Sequence, residues 1–465
     1  ILDMIAKIAS DQLRLEQLKP LQTQHRFTTT PDDQNGGQKV ISQAYNNKVR
    51  KGRVSADIRI DVRARDGAYV QHGTIGGVRR GKIATLNTNQ PLDDKVIMTL
   101  TSIGRDDPTT AEARRDATVL RILQGDEKLM SDSPWIQNIW FPADDGQLKW
   151  PKNWAKPIKP LSSPPQAASS KGKPNSQLHS LNASQQDAVN TMLSALNKHC
   201  LTLVQGPPGS GKTSVISTYV NFAIAMGHKG IWLVAKSNVA VKNIAEKLLS
   251  IGFHDWRLLV SQDFYLGWHE HLYTELKNNL IRSDKFFSIS PEALGDCQVV
   301  LCTLSMLSNG NINKFTSHIP LNTLIVDEAS QIEIGDYISV FSRFKTLRKA
   351  CFIGDDKQLP PYGQEDLQDL QSIFEVSHLH EQAIFLDTQY RMPPQIGLFI
   401  SGAVYEEKLN SNPFHPITDK FTACLFIDIM DKEKRHGESY MVCVFFSNNH
   451  LHLLIFIFIL EFCRG

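Results

Sequence analysis

The stretch Gln205-Gly-Pro-Pro-Gly-Ser-Gly-Lys-Thr-Ser214 decides how the rest of the chain is read. Gly206 and the triplet Gly211-Lys212-Thr213 have the spacing of a P-loop, in which the backbone N–H groups of a glycine-rich turn cradle phosphates. In that pattern Gly206, Pro207, Pro208, Gly209, Ser210 and Gly211 form the turn. Lys212 reaches the terminal phosphates, and the Thr213 hydroxyl, beside Ser214, holds Mg²⁺. The flanks fit the mechanism. Leu201 to Val204 is a short apolar run of buried-strand type, and Thr213 to Met226 reads as a helix closed by Gly227, so its positive dipole end points at the phosphate site.

The chain has 465 residues, 41% hydrophobic and 21% charged, which predicts an ordinary soluble globular protein of two to four domains. A formal net charge of +2 provides no global basic field, so a nucleic-acid partner has to be argued from local patches. The seven cysteines include no C-x-x-C pair and sit mostly in apolar runs, as expected of reduced core residues in an intracellular protein, cytoplasmic or nuclear. No charged segment followed by an apolar one opens the chain, so no secretory signal is expected. Starting at Ile1 without Met, the sequence reads as a fragment or an incomplete gene model.

In chain order, residues 1–47 are expected to be polar, with an amphipathic helix from Leu2 to Leu18 ended by Pro20. Residues 48–150 read as a basic β-rich module. Between Lys48 and Lys82 ten Lys or Arg stand against three Asp, a net of +7, and Ile58, Ile60, Val62 and Ala64 alternate with charged residues. A small barrel with a groove for nucleic acid would look like this, and so would a solvated basic face. Thr109 to Leu123 has helical spacing. Six prolines between Pro151 and Pro174 mark a linker, 151–176. Beyond it, apolar runs at 231–235, 299–303, 323–326 and 350–353 alternate with helical patterns, predicting a parallel sheet buried on both faces over 177–380. Asp255 to Ser290 reads as a small insertion with a helix near Tyr273 to Ile281. The fold class is therefore α/β, a P-loop core preceded by a small all-β module.

Leu324-Ile-Val-Asp-Glu-Ala-Ser330 is an apolar strand ending in two carboxylates. Adjacent side chains diverge there, so Asp327 can hold Mg²⁺ while Glu328 orients and deprotonates the attacking water. Two further motifs suit the terminal phosphate. Gly354-Asp-Asp-Lys-Gln-Leu-Pro-Pro361 offers Gln358 as a water or phosphate contact, and Gln389-Tyr-Arg-Met392 offers Arg391 as a second cation and Tyr390 as a flat surface for adenine.

Together and in this order these motifs resemble those of superfamily 1 helicases, specifically the up-frameshift and senataxin-like branch, over about residues 180 to 440. The resemblance implies a RecA-like core using ATP and Mg²⁺ on single-stranded RNA or DNA with 5′-to-3′ travel. It implies that Gln185 reads the adenine, that Gln358 couples the γ-phosphate to the strand track and that Arg391 is an arginine finger. It also implies that Ser237, Asn238 and Thr303 touch the nucleic-acid backbone. Lys236, Lys242, Asp356 and Pro393 depart from the branch, which often has Pro, Asp, His and His there. No membrane partner is implied, and a monomer is expected.

Members of the branch carry a whole second RecA-like lobe after the Tyr-Arg motif, and here 73 residues follow Met392. Residues 381–440 read as its beginning and 441–465 as an atypical apolar tail, strongly β-prone, for which a mis-spliced or read-through end is favoured over a membrane anchor. Such a chain is expected to bind nucleotide, to turn it over slowly and to unwind nothing. The competing readings are an ATP-binding remnant that scaffolds nucleic acid without turnover, and an ATPase with a protein substrate.

Overall fold

The computed structural model describes residues 2–25, 27–32, 37–42, 57–64, 67–79, 83–88, 96–105, 108–126, 128–143, 146–154, 181–266 and 273–417, and three strands at 434–436, 439–445 and 454–459. Most of the expected Pro-rich linker lies outside them.

An amphipathic helix, α1 (Leu2–Leu18), precedes seven antiparallel strands: β1 (Gln22–His25), β2 (Phe27–Asp32), β3 (Gly37–Ser42), β4 (Asp57–Ala64), β5 (Gly67–Arg79), β6 (Ile83–Thr88) and β7 (Val96–Ile103). They pair in the order β1-β7-β4-β5-β6-β3-β2. The two edge strands are therefore consecutive in the chain. One residue joins His25 to Phe27, and two virtual bonds span at most about 7 Å, so the sheet has to curl until its edges meet. Ile58, Ile60, Val62 and Leu100 are buried in the interior, and Arg59 and Arg63 face outward, as the alternation predicts. The sheet thus reaches back to residue 22, across the boundary expected at 47, because β2 and β3 supply pairing partners that their polar sequence did not advertise.

The helix α2 (Thr110–Leu123) begins with a capping box, the Thr109 hydroxyl accepting from the Glu112 N–H and the Glu112 carboxylate accepting from the Thr109 N–H. With α1 and the helix Pro134–Trp140 it does not extend the β module. Ile5, Ile8, Val119, Ile122, Trp135 and Ile139 are instead buried in the same core as Trp232, Phe341 and Phe352 of the following domain.

That domain is an eight-stranded parallel sheet: β8 (Leu201–Gln205), β9 (Ile231–Ala235), β10 (Trp256–Val260), β11 (Leu280–Arg282), β12 (Val299–Thr303), β13 (Thr323–Asp327), β14 (Lys349–Gly354) and β15 (Ile384–Phe385), in the order β11-β10-β12-β9-β13-β14-β8-β15. Every residue of β9, β12 and β13 is buried. Along β9, Trp232 and Val234 join the core that carries α1 and α2. Ile231, Leu233 and Ala235 join the opposite one, covered by the helices Ala183–Leu193, Lys212–Ala225 and Asn238–Ser250.

Two expectations need correction. Residues 255–290 are not an insertion: β10 and β11 extend the sheet, Trp256 is fully buried, and residues 274–279 form turns rather than an α-helix. The Asn279 amide donates to the His254 and Trp256 carbonyls, both at 2.7 Å, which fixes the chain's return into β11. The sheet also runs past the boundary expected at 381, because β15 pairs with the P-loop strand β8 and Leu386 is fully buried. In the tail, 439–445 and 454–459 form an antiparallel pair, Tyr440 opposite Ile459. No helix among the described residues is long and apolar enough to cross a membrane.

Gly230 enters β9 at φ +72°, and a Cβ there would fall inside the Pro320 carbonyl oxygen. We expect Gly230→Ala to cost about 2–4 kcal/mol of stability, read as a lowered denaturation midpoint. An unchanged midpoint would refute this account of the β9 entry.

Candidate active site

Parallel pairing brings the chemistry together. Asp327 lies opposite Ala235, Ala235 opposite Thr303 and Gly354 opposite Gln205, so five motifs leave the sheet at its carboxyl edge, where ligands of open α/β sheets bind. The loop after β8 is pinned from below, the Gly206 N–H donating to the Gly354 carbonyl at 2.8 Å. Gly209 and Gly211 hold φ of +76° and +86°, which a non-glycine residue adopts only under strain. The helix Lys212–Ala225 starts immediately afterwards, with Thr213 and Ser214 half-buried in its first turn. The Lys212 ammonium donates to the Gly206 carbonyl at 2.9 Å and stands 4.0 Å from the Glu328 carboxylate.

Asp327 ends β13 almost wholly buried, its carboxylate accepting from the Glu328 N–H at 3.0 Å. Burial, and then the neighbouring Glu328 charge, push its carboxyl up to about 7 against the pull of Lys212. Glu328 holds φ +52° and ψ +38°, left-handed for a residue with a side chain, and strain of this kind concentrates at functional sites. Two buried polar atoms here, Glu328 Oε2 and Ser210 Oγ, have no hydrogen-bond partner. Two carboxylates with one lysine, a hydroxyl at Thr213 and unsatisfied oxygens fit a hard divalent cation with a phosphate chain, and a cation there would return Asp327 to its charged form.

The segment after β15 closes over the loop. The Tyr390 N–H donates to the Gly209 carbonyl at 2.9 Å, the Tyr390 hydroxyl accepts from the Asn182 amide at 2.9 Å, and the ring is 42% exposed. A Cβ on Gly209 would lie 2.5 Å from the Arg391 Cβ, so glycine permits this contact.

A family model described as an AAA domain matches residues 180–262 and 269–364. The ATP-dependent helicase NAM7 of Saccharomyces cerevisiae is 30% identical over 263 residues, half of this chain and 26% of that protein. Regulator of nonsense transcripts 1 of Caenorhabditis elegans is 26% identical over 328 residues, 64% of this chain and 28% of that protein. These matches support a likeness to the superfamily 1 helicases of the up-frameshift-like branch. The DNA replication ATP-dependent helicase/nuclease DNA2 of Gallus gallus matches at 32% over 292 residues, 61% of this chain and 27% of that protein. The chain spans about a quarter of the length of these curated relatives.

The fold brings Lys212, Thr213, Asp327, Glu328, Tyr390 and the Arg391 backbone around one loop, and it occupies some expected contacts internally. Gln185 is buried, its amide donating to the Ser210 carbonyl at 2.8 Å and its oxygen accepting from the Asn182 N–H at 3.1 Å, so it props the P-loop. The Gln358 amide donates to Asp355 at 2.7 Å. The Ser237 hydroxyl caps the helix Asn238–Ser250 by accepting from the Ala240 N–H at 3.1 Å, with Asn238 half-buried beside it. Thr303 is buried, its hydroxyl 3.5 Å from that of Ser305. Arg391 is exposed, and its N–H donates to the Gln389 side chain at 3.0 Å.

Sequence reading missed Asp355. It is fully buried and accepts from the Tyr405 hydroxyl at 2.6 Å as well as from Gln358, and its N–H donates to the Ser330 hydroxyl at 3.2 Å. The pair Asp355-Asp356 after an apolar strand was the available signal, and the partner Tyr405 lies fifty residues on.

Because the Gly209 carbonyl accepts from the Tyr390 N–H and a Cβ at 209 would press on the Arg391 backbone N at 3.0 Å, Gly209→Ala should displace that segment. We expect at least about tenfold weaker binding of a fluorescent ATP analogue with an unchanged far-UV spectrum. Undiminished affinity would mean that the segment does not contribute to the nucleotide site.

Proposed function

We propose that this chain is a helicase of the up-frameshift-like branch, binds ATP with Mg²⁺ at the 205–214 loop and couples its hydrolysis to movement along single-stranded RNA or DNA. The observation that carries the reading is the convergence of Lys212, Asp327 and strained Glu328, with its orphaned Oε2, on one glycine loop. Lys212 leaves the Gly206 carbonyl to hold the β- and γ-phosphates, a point charge with no second cation in the loop to replace it. Thr213 and Asp327 hold the metal, which neutralises charge developing on the transferred phosphoryl group. Glu328 takes the proton of the attacking water. Its Oε2 is buried without a hydrogen-bond partner, which leaves it open to accept that proton. Tyr390 offers its exposed face to the base, with Asn182 holding its hydroxyl.

Gln358 is the proposed link from the γ-phosphate to the strand, through Asp355 and the Ser330 hydroxyl that follows Glu328. Ser237, Asn238 and Thr303 meet the strand at the edge where Ala235 and Thr303 lie side by side. These contacts are to backbone phosphates, which do not tell RNA from DNA without a reader of the 2′-hydroxyl. Arg391 supplies positive charge toward the γ-phosphate. Hydrolysis, strand preference and 5′-to-3′ travel remain part of this proposal, since the matched segment is a fraction of each relative.

Equilibrium binding of a fluorescent ATP analogue and phosphate release with and without single-stranded oligonucleotide test it. Lys212→Ala should abolish analogue binding and leave the melting temperature in place. Glu328→Gln should retain analogue and Mg²⁺ affinity and lose about 10² or more of the oligonucleotide-stimulated rate. Parent-level analogue binding by Lys212→Ala refutes the loop assignment, and parent-level turnover by Glu328→Gln removes Glu328 as the base.

A further inference from the structure

Between α1, α2 and the α/β domain lies a cavity of about 300 Å³, lined among others by Gln12, Arg115, Lys236, Ser305, Glu333 and Asp336. At its wall Arg115 of α2 is 3% exposed and grips two elements at once. Its Nη1 donates to Glu333 Oε2 and to Asp336 Oδ1, both at 2.8 Å, and its Nε donates to the Gln12 side-chain oxygen of α1. One guanidinium therefore ties the helix pair to a single turn.

That turn is the continuation of the carboxylate strand. From Glu328 the chain runs through one 3-10 turn, the Gln331 N–H donating to the Glu328 carbonyl at 3.1 Å, into a second whose Gly335 N–H donates to the Glu333 carboxylate at 2.8 Å. The same stretch is held from the strand-contact side, where the Lys236 ammonium donates to the Gln331 carbonyl at 2.6 Å. Lys236 adjoins Ser237 and stands where related helicases often have proline, which has no such donor. At the far end the turn bridges the segment after Gln358, the Ile334 N–H donating to the Gln371 carbonyl at 2.9 Å, and α1 reaches that segment through Arg14 on Asp369 at 2.9 Å.

The helix pair is also what the barrel is mounted on. Strand β1 begins four residues after α1 ends, α2 begins seven residues after β7 ends, and β1 and β7 pair with each other, so the chain enters and leaves the barrel at one place. A buried arginine with two carboxylates is weak evidence for stability, since an apolar trio of similar size packs as well. Its better-attested use is to fix one arrangement among several. Here that arrangement is the position of the Glu328 turn relative to the barrel, with an adjoining cavity that leaves the turn room to shift.

We infer that Arg115 is a positioning residue that couples the nucleotide site to the barrel, by clamping the 333–336 turn behind Glu328 to the α1–α2 mount. The inference rests on the proposed function, because coupling requires both nucleotide and strand to bind. Nucleotide-driven movement of the 327–337 chain is then passed to the barrel, and strand binding at the barrel acts back on Glu328 to the same extent.

The test measures, on the full chain, the affinity of a fluorescent single-stranded oligonucleotide with and without a non-hydrolysable ATP analogue and Mg²⁺. The unaltered chain should show a ratio of about 5- to 150-fold between the two conditions. Arg115→Met should leave the analogue affinity and the nucleotide-free oligonucleotide affinity within about threefold while the ratio falls to within about twofold of one. Arg115→Lys, with charge but no fork, should restore part of the ratio. Should the single variant unfold because two carboxylates are left buried and unpaired, Arg115→Met combined with Glu333→Gln and Asp336→Asn removes that charge and is expected to lose the ratio equally. A ratio near one in the unaltered chain that binds both ligands, or a parent-like ratio in either folded methionine variant, overturns the inference. Absence of analogue binding by the unaltered chain sinks the proposed function instead.

Discussion

Parallel register sets the terms for everything else in this molecule. With Thr303, Ala235 and Asp327 side by side, β12, β9 and β13 end on a common line, and β14 and β8 end on their own with Gly354 beside Gln205. A parallel strand is continued by a crossover on one face or the other, so each of these chains has to turn out of the sheet where the others do. Residues far apart in sequence become neighbours without any contact being made for that purpose. Shifting β13 by one residue would exchange Asp327 and Glu328 between the sheet's two faces, and the fully buried rows on both sides resist that slip.

The consequence of that crowding is electrostatic. Asp327 and Glu328 are adjacent, partly or wholly out of water, with the Lys212 ammonium 4.0 Å from Glu328 and engaged to the Gly206 carbonyl. Burial and the like charge favour a protonated Asp327, and one lysine at that distance does not offset both. The left-handed backbone at Glu328 stores further strain, and its second oxygen lacks a partner. A divalent cation and a phosphate chain would relieve these costs together. Strain and orphaned polar groups are where a fold departs from local consistency for the sake of function.

Much of this was legible in the sequence, for reasons that particular residues make clear. The strands β9, β12 and β13 are uninterrupted apolar runs because both of their faces are covered, and the loop glycines Gly209 and Gly211 are required by positive φ. Helix α1 matched its amphipathic reading because Ile5 and Ile8 are buried at helical spacing. What could not be read had no local signature. The polar run Gln22–His25 is a strand because β7 pairs with it, and β10 and β11 belong to the sheet because of an edge that only the folded domain offers. In the site, the resemblance implies ligand roles for Gln185 and Gln358, and the fold adds internal partners for their amides, Ser210 and Asp355. Motifs fix which residues gather, and the partners each one holds are set by tertiary contacts.

The same distinction bears on Lys236 and Asp356, two of the departures from the branch pattern. Read from sequence, an extra lysine beside Ser237 adds positive charge to a strand path. In the fold its ammonium is engaged by the Gln331 carbonyl, at the edge of the acidic Glu333–Asp336 turn, and burial lowers its basicity. A nucleic-acid phosphate can recruit that ammonium only in competition with a backbone acceptor that belongs to the Glu328 turn. Asp356 is treated similarly, held by the Gln205 amide at 2.5 Å and the Lys357 ammonium at 3.1 Å at the root of the P-loop. Both substitutions therefore act on the loops that frame the nucleotide. On the proposed reading, charge added beside Ser237 changes how firmly the carboxylate turn is held before it changes how tightly a strand would be bound.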